Sequence, residues 1–142
     1  MAPDPSLAGD QSVNAGQAMP DEWFWDGVDF ALEALKDRHA QVLAHCHMGI
    51  NRGPSMAFAI MLALGTDPVA GLSAIRRARP IAAISYAGDA LDWWQRETAC
   101  PAGVARRQRA EVAAWHRANP LDVVRVIRKI RIAEISALPL SA

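Results

Sequence analysis

The chain has 142 residues, of which 51% are hydrophobic and 21% charged, and its formal net charge at pH 7 is zero. That length fits one domain, and the composition excludes a wholly disordered, collagen-like or low-complexity protein. No apolar run reaches the roughly 18 residues a membrane-spanning helix needs, and the first 20 residues lack the basic and apolar regions of a secretory signal.

Residues 1–20 are rich in Pro, Gly, Asp, Ser and Asn, show no periodicity and are expected to be flexible. Asp21 is the expected N-cap of a first helix reaching Lys36, with Phe24, Val28, Ala31, Leu32 and Leu35 at helical spacing. Gln41-Val42-Leu43-Ala44-His45 is short and apolar and reads as a buried strand. Residues 46–52 form a loop. A helix is predicted from Gly53 to Leu64, with Pro54 in its first turn and Gly65 beyond its end. Asp67-Pro68 opens the next helix, whose inner face is Val69, Leu72 and Ile75 and whose end is Arg79-Pro80. After a loop to Ala87, helices are predicted over about 88–98, 104–118 and 121–136, with breaks at Pro101-Ala102-Gly103 and Asn119-Pro120. The chain divides into a flexible segment (1–20), a core (21–100) and a helical extension (101–142).

The zero net charge hides an asymmetry. Residues 1–45 carry eight acidic and two basic side chains, whereas residues 46–142 carry seven acidic and thirteen basic. Thirteen of the fifteen basic residues are Arg, whose planar fork matches phosphate and carboxylate oxygens. Most of these arginines are expected to coat exposed helix faces; collectively they favour an anionic substrate.

The chemistry is concentrated in His45-Cys46-His47-Met48-Gly49-Ile50-Asn51-Arg52-Gly53-Pro54-Ser55. A predicted strand stops at a cysteine, and a glycine-containing loop leads into a helix N-terminus. Such a loop turns successive N–H groups inward, and the helix dipole adds positive charge. That setting suits both a bound phosphate and a thiolate. Arg52, six positions after Cys46, can fold back to hold two phosphate oxygens. Together these residues supply a nucleophile, an oxyanion cradle and a charge clamp.

His45-Cys46-x5-Arg52 resembles the signature of cysteine-dependent protein tyrosine phosphatases, and its flanks look like the dual-specificity branch. The similarity covers roughly residues 20–97, through Trp23-Phe24, Val28, Phe30, Ala34-Leu35, Val42-Leu43, Ala78-Arg79-Pro80-Ile81 and Gly88. The resemblance implies an α/β fold, here a partial and mostly helical version with the phosphate-binding loop between a central strand and a helix. It implies hydrolysis of phosphotyrosine, phosphoserine or phosphothreonine in proteins, or of a small phosphate ester, without cofactor or metal. Cys46 would attack phosphorus to give a phosphocysteine. Arg52 would bind the phosphate, and His47, Met48, Gly49, Ile50 and Asn51 would line the cradle. His45 would organise the loop and keep the thiol acidic.

The chain departs from the family pattern in three places. Gly53 stands where a Ser or Thr usually assists departure of the thiolate, with Ser55 the nearest hydroxyl, so a slower second step is expected. The family's general acid is an Asp about thirty residues before the cysteine; a gapless count lands on Asn14, and Asp10 is the nearest candidate upstream. Most of the family's strands precede that acid, so the chain reads as shortened at the N-terminus. One strand cannot make a stable sheet, and the isolated chain is expected to fold poorly.

Other features read more plainly. His45 and His47 have no second cluster of ligands nearby, so no metal site is expected. His39 and His116 are expected at the surface. Cys100 reads as a spare thiol, with an oxidative disulfide to Cys46 as the alternative. The five tryptophans fall in predicted helices and belong to the core or an interface, not to a nucleic-acid platform. The last helix sets Val123, Val126, Ile127 and Ile130 against Arg125, Arg128 and Lys129. Core packing is its first reading, and no membrane partner is expected. Two cysteines without an export signal suit the cytoplasm. The alternatives to an enzyme are a weak or inactive phosphate-binding pseudophosphatase and a helical interaction protein.

Overall fold

A computed structural model describes residues 18–139. They form six helices: α1 (Asp21–Ala34), α2 (Arg52–Ala63), α3 (Pro68–Ala78), α4 (Ala87–Glu97), α5 (Ala102–Ala118) and α6 (Val123–Ser136). Among the described residues there is no strand and no sheet, which overturns the α/β fold expected from the resemblance.

The correction centres on residues 41–45. Val42 and Ala44 turn towards the core, while Gln41, His45 and Leu43, the last 81% exposed, face outward. That alternation has the period of an extended chain. No backbone hydrogen bond joins these residues to any other described residue. A strand exists only through pairing with a neighbour, so apolar alternation alone yields an unpaired crossover from α1 to α2.

Helix α2 is the centre of the fold and packs against α1, α3 and α4. Its buried residues include Ser55, Met56, Phe58, Ala59, Ile60 and Leu62. An apolar helix buried on most sides must be surrounded, and its neighbours supply matching apolar faces. Gly27 of α1 faces the Met56 thioether, so at this α1–α2 contact a Cβ would require the Met56 side chain to shift. Trp93 of α4 is fully buried; its ring stacks on Phe24 with centroids 5.4 Å apart and meets Trp25 edge-on at 5.3 Å. Such aromatic pairs add to area burial.

Helix α5 joins the same core and packs on α3 and α4 through buried Val112 and Trp115. Trp115 Nε1 donates to Ser73 Oγ at 3.0 Å. The Arg76 guanidinium lies 5.0 Å from the Trp115 ring centroid and donates to the carbonyls of Ala82 (2.6 Å) and Asn119 (3.0 Å). His116, expected at the surface, is half-buried against Trp115, with Nδ1 3.1 Å from the Val112 carbonyl. Helix α6 has no buried residue and exposes Ile132 and Ile135 in its second half.

The helix ends follow local chemistry. Asp67 caps α3 by accepting from the Ala70 N–H at 3.0 Å, with Pro68 in the first turn. Asp122 caps α6 by accepting from Arg125 N–H. The N-cap of α1 is Pro20; the expected cap, Asp21, is instead the first helical residue, and its carboxylate accepts from Arg96 at 2.7 Å. Helix α5 starts at Ala102, so Gly103 lies inside it rather than in a boundary loop. No helix of the described residues is long and apolar enough to cross a membrane.

Candidate functional site

The site is the loop from Cys46 to the first turn of α2. Asn51 is the N-cap of α2 and makes no side-chain capping bond, and no acidic residue occupies the first turn. The orphan N–H groups and the positive end of the helix dipole therefore face the loop without a side-chain cap or an acidic residue in the first turn. Arg52 is the first helical residue, and Ser55 N–H already donates to the Asn51 carbonyl at 2.9 Å.

Cys46 sits at the focus. Its half-buried position raises the thiol pKa, but the opposing contributions win: the N–H groups of Gly53, Gly49 and Asn51 donate to the sulfur, and the Arg52 charge adds to them. The net effect is a thiol more acidic than usual. Three donors from alternating loop positions require the chain to curl around the sulfur. Gly49 permits this curl with φ +64°, a conformation that residues with a side chain rarely adopt.

The α2 helix meets Cys46 through Gly53. A Cβ at Gly53 would lie 2.9 Å from His45 Cα, 3.0 Å from His45 C and 3.1 Å from Cys46 N. All three atoms are backbone, so the glycine sets how closely the helix start approaches the cysteine.

The outer side of the loop is held by residues 79–86. Arg79 donates from Nε to the Gly49 carbonyl at 2.6 Å and from Nη2 to the Met48 carbonyl at 2.9 Å. Ala83 N–H donates to the Ile50 carbonyl at 2.7 Å, and Ser85 N–H to Asn51 Oδ1 at 2.5 Å. Tyr86 N–H donates to Ser55 Oγ at 3.3 Å, and Ser55 is fully buried. The carbonyls thus point out to this brace.

The residues expected to act on a substrate separate into groups. Cys46, Gly49, Asn51 and Gly53 converge through backbone and sulfur, with Arg52 adjoining them in the first turn. The side chains of Ile50 and Asn51 are used internally, Ile50 being 4% exposed and Asn51 bonded to Ser85. His47 is exposed, and its Nε2 lies 3.8 Å from Glu134 Oε1 of α6. The ring of His45 is exposed and makes no hydrogen bond to a described residue. Asp10, the expected general acid, lies outside the described residues. Both cysteines are free thiols. The brace escaped sequence reasoning, which read Arg79 as a helix end and as one residue of the Ala78-Arg79-Pro80-Ile81 segment of the resemblance, and gave it no contact with the loop.

No family model, curated protein sequence or solved structure matches this chain.

Proposed function

We propose that the protein hydrolyses phosphate monoesters through a cysteinyl-phosphate intermediate, with phosphorylated tyrosine, serine or threonine in proteins as the substrate class. The observation that carries this reading is the convergence of three backbone N–H groups on the Cys46 sulfur at a helix N-terminus. The same donors that hold a thiolate would hold the equatorial oxygens of a phosphoryl group as it arrives. Arg52 adds positive charge beside them. The resemblance of His45-Cys46-x5-Arg52 to cysteine-dependent phosphatases supports the same reaction.

In this mechanism the Cys46 thiolate attacks phosphorus in line with the ester oxygen. The S–P bond forms as the P–O bond to the leaving group breaks, and the leaving oxygen takes a proton from a general acid, for which Asp10, four residues before the position the resemblance gives to that acid, is the candidate. Water then attacks the phosphocysteine, giving a proton back to the general acid as the S–P bond breaks, which releases inorganic phosphate and restores the thiolate. The hydroxyl that would assist this second step is missing from its place: position 53 is glycine, and the nearest, Ser55, is buried two residues on with its Oγ accepting from Tyr86 N–H. Breakdown of the phosphocysteine is therefore the slow step. A working thiolate needs reducing surroundings, in keeping with a cytoplasmic protein.

Incubation with a generic aryl phosphate tests the reading, with Cys46→Ser and Arg52→Ala alongside. Hydrolysis by the wild type and not by either variant is expected. Equal rates in all three would remove the enzymatic reading.

A further inference from the structure

We infer that Arg79 is a positioning residue of the Cys46 site: its guanidinium fork fixes the direction in which the loop's N–H groups point. The inference rests on the proposed use of Cys46 as a nucleophile in a phosphate cradle.

Arg79 is aimed by its own backbone. It is the C-cap of α3, with φ −136° and ψ 92°, and Pro80 follows. A residue before proline is pushed out of the helical region into the extended one. The chain therefore leaves α3 at Arg79, whose side chain reaches back across 30 positions of sequence to the loop.

Peptide geometry does the rest. The Met48 carbonyl and the Gly49 N–H belong to one planar trans unit and point in opposite directions. Nη2 of Arg79 holds the Met48 oxygen at 2.9 Å on the outside, so the Gly49 N–H is turned inward, where it donates to Cys46. Nε holds the Gly49 oxygen at 2.6 Å, which fixes the next unit and sets the Ile50 N–H on the side away from the fork. One rigid fork thus orients two successive peptides. A lysine has charge but no fork, and cannot fix two carbonyls in a set relation. Gly49 completes the fit, since a Cβ there would lie 2.7 Å from both Nε and Nη2 of Arg79.

The test is the pH profile of Cys46 alkylation by iodoacetamide in the full chain, for wild type, Arg79→Ala, Arg79→Lys and the control Arg77→Ala. Protection of Cys46 by inorganic phosphate is measured in parallel. Arg79→Ala is expected to raise the midpoint by about one pH unit and to weaken phosphate protection about tenfold. Arg79→Lys is expected to retain most of that defect, and Arg77→Ala to match wild type. An unchanged midpoint in Arg79→Ala, or full restoration by lysine, overturns the inference. If Arg79→Ala does not fold by circular dichroism, Arg79→Lys decides: a raised midpoint supports the fork, and a wild-type midpoint refutes it. Alkylation needs no turnover. A midpoint shift in a protein that hydrolyses no phosphate ester would sink the proposed function and leave this inference standing. Hydrolysis with an unmoved midpoint would do the reverse.

Discussion

Three glycines occupy the second position of a helix: Gly53 in α2, Gly88 in α4 and Gly103 in α5. Replacing each with alanine makes a matched experiment, because the helical position is shared and only the surroundings differ. At Gly88 and Gly103 a Cβ meets nothing within 4 Å. Alanine there restricts the unfolded chain at no steric cost and should stabilise by about 0.4–1 kcal/mol. At Gly53 the Cβ would press on the His45 and Cys46 backbone at 2.9–3.1 Å. Backbone cannot rotate away as a side-chain tip can, so the helix and the loop must separate by a few tenths of an ångström. Overpacking of this kind costs roughly 1–3 kcal/mol, which outweighs the entropic gain. The expected gap between Gly53→Ala and either control is therefore about 2 kcal/mol, or on the order of 8 °C in Tm for a domain of this size. Thermal unfolding followed by circular dichroism reads this directly. Gly53→Ala should also raise the pH midpoint of Cys46 alkylation, because Gly53 N–H contributes to holding the thiol acidic. A Gly53→Ala melting temperature equal to or above that of the two controls would refute the packing reasoning.

Three further outcomes are expected. If the proposed mechanism holds, mixing the protein with a saturating aryl phosphate should give a burst of product near one equivalent before a slower steady state, since position 53 offers no hydroxyl to assist breakdown of the phosphocysteine; linear release from the start would contradict this. Trp93→Ala should cost about 3–5 kcal/mol in urea unfolding, because the ring is fully buried among Phe24, Trp25 and Trp94. The stability of wild type relative to Cys46→Ser should depend on pH with a definite sign. The folded thiol is the stronger acid, so thiolate formation favours the fold. That advantage is complete above the ordinary thiol range and is lost as pH falls through the lowered folded value; a flat difference across this window would contradict it.

Much of the helical framework was legible because its signals are local. Asp67-Pro68 marked the start of α3, Gly65 the turn after α2 with φ +88°, and apolar spacing the bodies of both helices. The loop itself was legible for the same reason: a cysteine, a glycine and an arginine ahead of a helix start lie within one short window. What failed was the reading of residues 41–45. Val42 and Ala44 do turn inward, as a strand would require, but pairing is a relation between two segments, and one segment does not reveal whether the other is there. The brace was hidden for a related reason. Arg79 and Ser85 contact the loop from 30 and 34 positions away, and no periodicity within either segment signals that meeting. His116 was expected at the surface; it is partly buried, with its ring edge-on against Trp115.

The most direct measurement is acid quenching of the full chain with an aryl phosphate, followed by mass spectrometry of the peptide carrying Cys46. One added phosphoryl group on Cys46 in the wild type, absent from Cys46→Ser, is the expected result. Release of phosphate by the wild type with Cys46 unmodified at every quench time, together with undiminished release by Cys46→Ser, would show that the chemistry does not pass through this sulfur.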